Sequence, residues 1–152
     1  MDKIVIACDH RGDAFCEKIN KHLIEKGYET IFFSSQSVKD DYIDNAKKAL
    51  DALTKKQVTK AILVCGTGVG MAICANRKKG VFAVHAREES EAYFARRHED
   101  ANVLVFGAGY SDGIKEVRLC LRKAKRIVDT FLSTEFEGGR HAQRIKKVDR
   151  DL

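Results

Sequence analysis

Five short apolar runs punctuate the chain: Lys3 to Cys8, Glu29 to Phe33, Ala61 to Val64, Val81 to Val84 and Val103 to Phe106. Four of them are nearly continuous rather than alternating. A strand without a polar face has both faces covered, which marks a parallel sheet lying between two layers of helices. The intervals between the runs are amphipathic. They predict helices over Asp13 to Lys26 with Gly27 as stop, Asp44 to Lys56, Gly70 to Lys78 with Gly80 as stop, and Arg87 to Arg97. A long helix is expected from about Asp112 to Leu132. This alternation predicts an α/β fold, a three-layer αβα sandwich of Rossmann-like type on a five-stranded parallel sheet, with right-handed crossovers and a C-terminal helical tail. With no proline, no low-complexity linker and no internal repeat, residues 1–152 read as one domain.

Composition narrows the class. At 152 residues, 44% hydrophobic and 33% charged, the chain can build one core and is too short for two comfortable ones. No run approaches the roughly 20 apolar residues of a membrane span, and the first strand begins at Lys3, before an export signal could fit. The expectation is a soluble cytoplasmic protein with no membrane partner. Its five cysteines, at positions 8, 16, 65, 74 and 120, are odd in number and form no Cys-x-x-Cys pair, which fits reduced thiols and excludes structural zinc. The net charge of +6 is concentrated from Lys115 onward, where eleven Lys or Arg face six Asp or Glu. That bias implies attraction to phosphate in some form. Nucleic-acid binding would require exposed aromatics among the basic residues or a recognition element, and neither is present. Arg122 to Arg126 reads as the solvated face of a helix whose apolar face is Val117, Leu121, Ile127, Val128, Phe131 and Leu132.

In folds of this class ligands collect beyond the carboxyl ends of the strands. There the chain places Asp9-His10-Arg11-Gly12 after the first strand, Cys65-Gly66-Thr67-Gly68-Val69-Gly70 after the third and Gly107-Ala108-Gly109-Tyr110 after the fifth. A glycine-rich turn opening a helix aims several N–H groups and the positive end of the helix dipole at one small volume. A thiol at the mouth of that volume is favoured as thiolate, a base or a nucleophile. Cys8, Cys16, Cys74 and Cys120 read as inert thiols, His22 and His85 as neither acid nor ligand, and Asn76 as a cap or brace. His98 approaches the fifth strand from its amino end, far from the others within one subunit, so that a site including it requires two subunits to meet. Arg140 and Arg144 are four apart and share a face if Arg140 opens a helix, able to chelate a phosphate with His10 and His141 nearby. On spacing alone, an exposed basic terminus is an equal reading.

Four separated motifs carry a resemblance: Asp9-His10-x-Gly12; Cys65-Gly-Thr-Gly-x-Gly with Ile73-x-Ala75-Asn76; His98-x-Asp100-Ala101-Asn102-Val103-Leu104; and Phe136-Glu137-Gly138-Gly139-Arg140-His141-x-x-Arg144. In order and over nearly the whole chain, they resemble the ribose-5-phosphate isomerase B family, which also includes the galactose-6-phosphate isomerase subunits. The resemblance implies an aldose–ketose isomerase working through a cis-enediolate with no metal or organic cofactor. It implies a homodimer or dimer of dimers with sites between subunits, residues 132–152 packing on the partner. By that resemblance Cys65 is the base and His98 the acid that opens the sugar ring, with Asp9 assisting or holding a sugar hydroxyl. Thr67 and the amides of Gly66, Gly68, Val69 and Gly70 stabilise the oxyanion; His10, Arg140 and Arg144 take the phosphate; Tyr42 lines the sugar pocket.

The chain departs from the family pattern at three positions. Ile43 stands where the family has proline. Glu99 stands where it usually has an asparagine that bonds the substrate, and a carboxylate accepts but does not donate. Gly109 replaces an arginine that helps to bind phosphate. The expected reaction interconverts ribose 5-phosphate and ribulose 5-phosphate, in the non-oxidative pentose phosphate pathway. Two alternatives stay open: another aldose phosphate, such as allose 6-phosphate or galactose 6-phosphate, and a non-catalytic sugar-phosphate-binding role.

Overall fold

The apolar runs form β1 (Lys3–Cys8), β2 (Glu29–Phe33), β3 (Lys60–Cys65), β4 (Ala83–His85) and β5 (Val103–Gly107). In the computed structural model, which describes every residue except Met1, Gln36, Val38 and Asp40, they make one parallel sheet in the order β2-β1-β3-β5-β4. Side chains alternate across the sheet. Ile4, Ile6, Ile62, Val64, Leu104 and Phe106 face one core; Val5, Ala7, Leu63, Val103 and Val105 face the other. Helices α1 (Asp13–Glu25), α4 (Glu89–Glu99) and α5 (Leu121–Ser133) cover the first face through Ile19, Leu23, Ala92 and Phe131. Helices α2 (Tyr42–Thr54) and α3 (Val69–Asn76) cover the second through Leu50, Leu53 and Met71. The expected three-layer sandwich is therefore present, closed by α6 (Arg140–Asp151).

Local chemistry sets the boundaries. Helix α2 starts two residues before the expected Asp44 because the Asp41 carboxylate accepts the N–H groups of Ile43 and Asp44. Helix α4 opens on a capping box of Glu88 with Glu91 and runs past Arg97 to Asp100, whose φ of 48° ends it, so His98 lies inside its last turn. The long helix expected from Asp112 is shorter. Gly109–Ser111 (β6) and Glu116–Arg118 (β7) pair as an antiparallel hairpin, and only Leu121–Ser133 is helical. Asp112 forces that turn, its Oδ1 accepting the N–H groups of Ile114 and Lys115 at 2.8 Å, with Gly113 at φ 89°. Val117, expected on the apolar face of the helix, is instead paired across the hairpin with Tyr110.

The strand order reverses at β1 and β3, which are neighbours although β2 intervenes in the chain. At such a switch point the loops diverge and leave a crevice beyond the carboxyl ends of the strands. Among the described residues no helix is long and apolar enough to cross a membrane.

Candidate functional site

Cys65 ends β3 beside Gly107 of β5, at the carboxyl edge of the sheet. It is 4% exposed, and its Sγ accepts the Gly68 N–H at 3.1 Å. Gly68 caps α3 with φ 84°, where a Cβ would come within 2.6 Å of His85 Nε2 and 2.9 Å of Gly107 N. Only glycine fits, on both conformational and steric grounds. The loop is clamped from its other side by β5, whose continuation donates Ala108 N–H to Cys65 O and Gly109 N–H to Gly66 O. Thr67 Oγ1 accepts the Val69 N–H at 3.2 Å. The amides of Gly68 and Val69, expected to meet an oxyanion, are thus taken by Cys65 and Thr67, while Gly70 and Met71 in the first turn of α3 have no intrahelical acceptor.

The neighbouring turns bring more of the expected residues to this loop. Asp9, 7% exposed, accepts the N–H groups of Arg11 and Gly12 on Oδ1, so that one carboxylate oxygen shapes the turn after β1. His10 is exposed at the crest of that turn. Tyr42, first residue of α2, lays its ring on Gly70, where a Cβ would lie 2.7 Å from Cζ. Asp9, His10, Tyr42, Cys65, Gly66, Thr67, Gly68, Val69 and Gly70 thus gather at one end of the sheet.

His98, Glu99, Arg140 and Arg144 gather at the other end. Helix α4 descends to the amino edge, where Ala61 pairs with Val103, and four strand residues separate that level from Cys65, about 13 Å by strand rise. The His98 ring stacks on His141 with centroids 4.2 Å apart and planes 9° apart. Glu137 Oε2 lies 3.8 Å from His98 Nε2, 4.0 Å from His141 Nε2 and 3.4 Å from Arg97 Nε. The ligand atoms of His98, Glu137 and His141 lie within 4.8 Å of one another, yet the near-parallel imidazole planes share no in-plane point at which one ion could meet both nitrogens. The buried His141 has its pKa lowered by burial first and then by the charges of His98 and Arg140. Arg140 and Arg144 open α6, exposed and on one face, and Glu99 is exposed beside His98.

The remaining cysteines fit the inert reading in part by environment: burial pushes the thiols of Cys16 and Cys74 up. Two residues of the region escaped sequence reasoning. His85, read as neither acid nor ligand, packs on Gly68 and bonds the Thr67 backbone; burial, then Arg87, lowers its pKa. Arg96, which no pattern in the sequence singles out, is 8% exposed and donates to Ala101 O, Asp100 Oδ1 and Thr134 O, clasping the end of α5 to α4. Neither has a motif of its own.

Comparison with known proteins decides the relationship. A family model described as Ribose/Galactose Isomerase matches residues 4–148. The chain belongs to the ribose/galactose isomerase family. Ribose-5-phosphate isomerase B of Escherichia coli is 39% identical over 149 residues, covering 97% of this chain and 95% of that protein. A ribose 5-phosphate isomerase structure from Thermotoga maritima superposes with a TM-score of 0.86 at 40% identity, covering 98% of both chains. Ribose-5-phosphate isomerase B from Mycoplasma genitalium, solved with bound ribulose-5-phosphate, gives a TM-score of 0.88 at 36% identity, covering 98% of this chain and 95% of that one. Family membership extends from the glycine loop to α6, so both clusters of polar residues fall within the matched span.

Proposed function

We propose that the protein is an aldose–ketose isomerase interconverting ribose 5-phosphate and ribulose 5-phosphate through a cis-enediolate, with each site assembled from two copies of the chain. One observation carries the chemistry: a sulfur at the floor of a crevice accepts an N–H from the loop that opens α3. As thiolate, Cys65 takes the proton from C2 of the open-chain aldose and returns it to C1. Negative charge then develops on the C1 oxygen, where the N–H groups of the first turn of α3 and the Thr67 hydroxyl can meet it, and the O2 hydroxyl proton passes to O1 as C2=O forms; each well-placed donor of this kind contributes roughly 3–4 kcal/mol. Asp9 holds a sugar hydroxyl, Tyr42 walls the pocket, and Gly66, Gly68, Val69 and Gly70 give the loop its shape.

The second copy supplies what the first lacks. His98 lies at the wrong end of its own sheet to reach Cys65, yet as the acid that protonates the ring oxygen it must stand beside the sugar. Val69 and Ile73 on α3, 51% and 63% exposed, flank the first cluster, and Phe94, 52% exposed, stacks beside His98 in the second. A twofold contact between these apolar faces buries both and places His98, Glu99, Arg140 and Arg144 of one copy over Cys65 of the other. Arg140 and Arg144 then take the phosphate with His10. The family resemblance supports a cytoplasmic setting and the non-oxidative pentose phosphate pathway.

Glu99 and Gly109 favour a second reading within the same chemistry, in which the preferred aldose phosphate is another. Purified protein assayed on ribose 5-phosphate, allose 6-phosphate and galactose 6-phosphate tests both. Highest kcat/KM on ribose 5-phosphate is expected. Preference for a six-carbon substrate overturns the substrate, and binding without turnover of any overturns the enzyme.

A further inference from the structure

Arg11 has no part in the chemistry set out above, yet three distant segments meet at its side chain. It follows His10 in the turn after β1. Its Cδ runs along Gly66 of the glycine loop, where a Cβ would lie 3.1 Å from it and 3.3 Å from Tyr110 Cβ. Its guanidinium carbon stands 4.7 Å from the centroid of the Tyr110 ring, which projects from the β6–β7 hairpin after β5. The root of the side chain is fixed as well, since the Arg11 N–H donates to Asp9 Oδ1 at 3.0 Å.

This placement differs from that of several other cations of the chain. Among the described residues none of the ion pairs involves Arg11, whereas Arg97, Lys123 and Arg126 each face a carboxylate. An aromatic face orients a guanidinium without neutralising it and leaves its planar fork of N–H groups free. The result is a guanidinium without a carboxylate partner at the lip of the glycine loop. Cys65 lies on the floor at 4% exposure, while Arg11 is exposed at the rim. A group at the rim meets the end of the sugar remote from the reacting carbons.

We propose that Arg11 binds the phosphate of the sugar phosphate, with Tyr110 as the positioning residue that aims it. The inference rests on the isomerase reading for the identity of the anion. It returns to the site, from the turn after β1, a charge that Gly109 does not carry, and the hairpin that begins at Gly109 supplies the aromatic ring that holds it. Phosphate accepts several bidentate donors at once, so Arg11 and His10 of one copy can share it with Arg140 and Arg144 of the next.

Kinetics of Arg11→Ala, Arg11→Lys and Tyr110→Ala on ribose 5-phosphate, each with inorganic phosphate as competing inhibitor, test the proposal. Arg11→Ala is expected to raise KM and the phosphate inhibition constant together by about tenfold or more, with kcat within about twofold, as for loss of a charged hydrogen bond. Arg11→Lys should recover part of that loss, and Tyr110→Ala should raise both constants by a few-fold. Unchanged constants in Arg11→Ala, or a fall in kcat alone, overturn the role. Should the wild-type protein turn over no ribose 5-phosphate, the isomerase reading fails, and calorimetric titration with inorganic phosphate still decides Arg11: weaker binding by Arg11→Ala supports it and equal binding overturns it.

Discussion

At the scale of single residues the proposed base and the proposed phosphate ligands make opposite predictions. Removing the sulfur in Cys65→Ala takes away a group that acts only in the transition state. Turnover should fall by about 10²–10⁴-fold while ribose 5-phosphate still binds, read by kcat and by calorimetry. Retained turnover removes Cys65 from the role. Arg144→Ala removes a contact made equally before and during reaction, so its KM should rise about tenfold with kcat little changed. The place of Cys65 at the end of β3 was legible from its motif, and the separation of His98 from Cys65 from the order of the elements. Arg96 was not. Its burial depends on the carbonyls of Ala101 and Thr134, which arrive from elements distant in the chain, and no local pattern announces them.

Among the elements, the glycine loop concentrates the strain. Gly68→Ala places a Cβ at positive φ against His85 and β5; about 1–2 kcal/mol for the conformation and about 1–3 kcal/mol for overpacking add up to a loss of the order of 10 °C in Tm. An unchanged melting curve would mean that the loop yields. His85 gives the same region an acid sensitivity. With its pKa held below the ordinary 6.5 by burial and then Arg87, the folded chain takes up this proton later than the unfolded one as pH falls. Its contribution is therefore full above about pH 6.5 and is lost progressively on acidification, with the same sign for His141. His85→Gln should flatten the acid side of a plot of Tm against pH; an unaltered slope would assign the sensitivity elsewhere. The strands of this region were readable because burial on both faces leaves no polar position in them. The hairpin was misread because the basic, amphipathic pattern of Lys115 to Leu132 continues smoothly across its second strand, while the decisive signal, an aspartate followed by glycine at 112–113, occupies two residues.

On the scale of the whole molecule, a site shared between copies predicts complementation. Cys65→Ala and His98→Ala homo-oligomers should each be nearly inactive, yet reassembled from an equimolar mixture they should regain about a quarter of wild-type activity. Half the pairs are then mixed, and each mixed pair has one intact site. No recovery on mixing, with mixed assemblies verified, would place the whole site within one chain. The division into two clusters followed from the topology of alternating strands and helices, which sets α4 running against the sheet. What the alternation alone could not convey is how α6 sits, because that depends on contacts made by its first turn with the last turn of α4.

The Arg96 clasp bears on how such an assembly could open and close. By tying the end of α5 to the foot of α4, it fixes the turn of helix from which His98 projects. Across the crevice from that fixed turn, a two-stranded flap leans a tyrosine on Arg11, so a ligand between copies is met by preset groups from both sides.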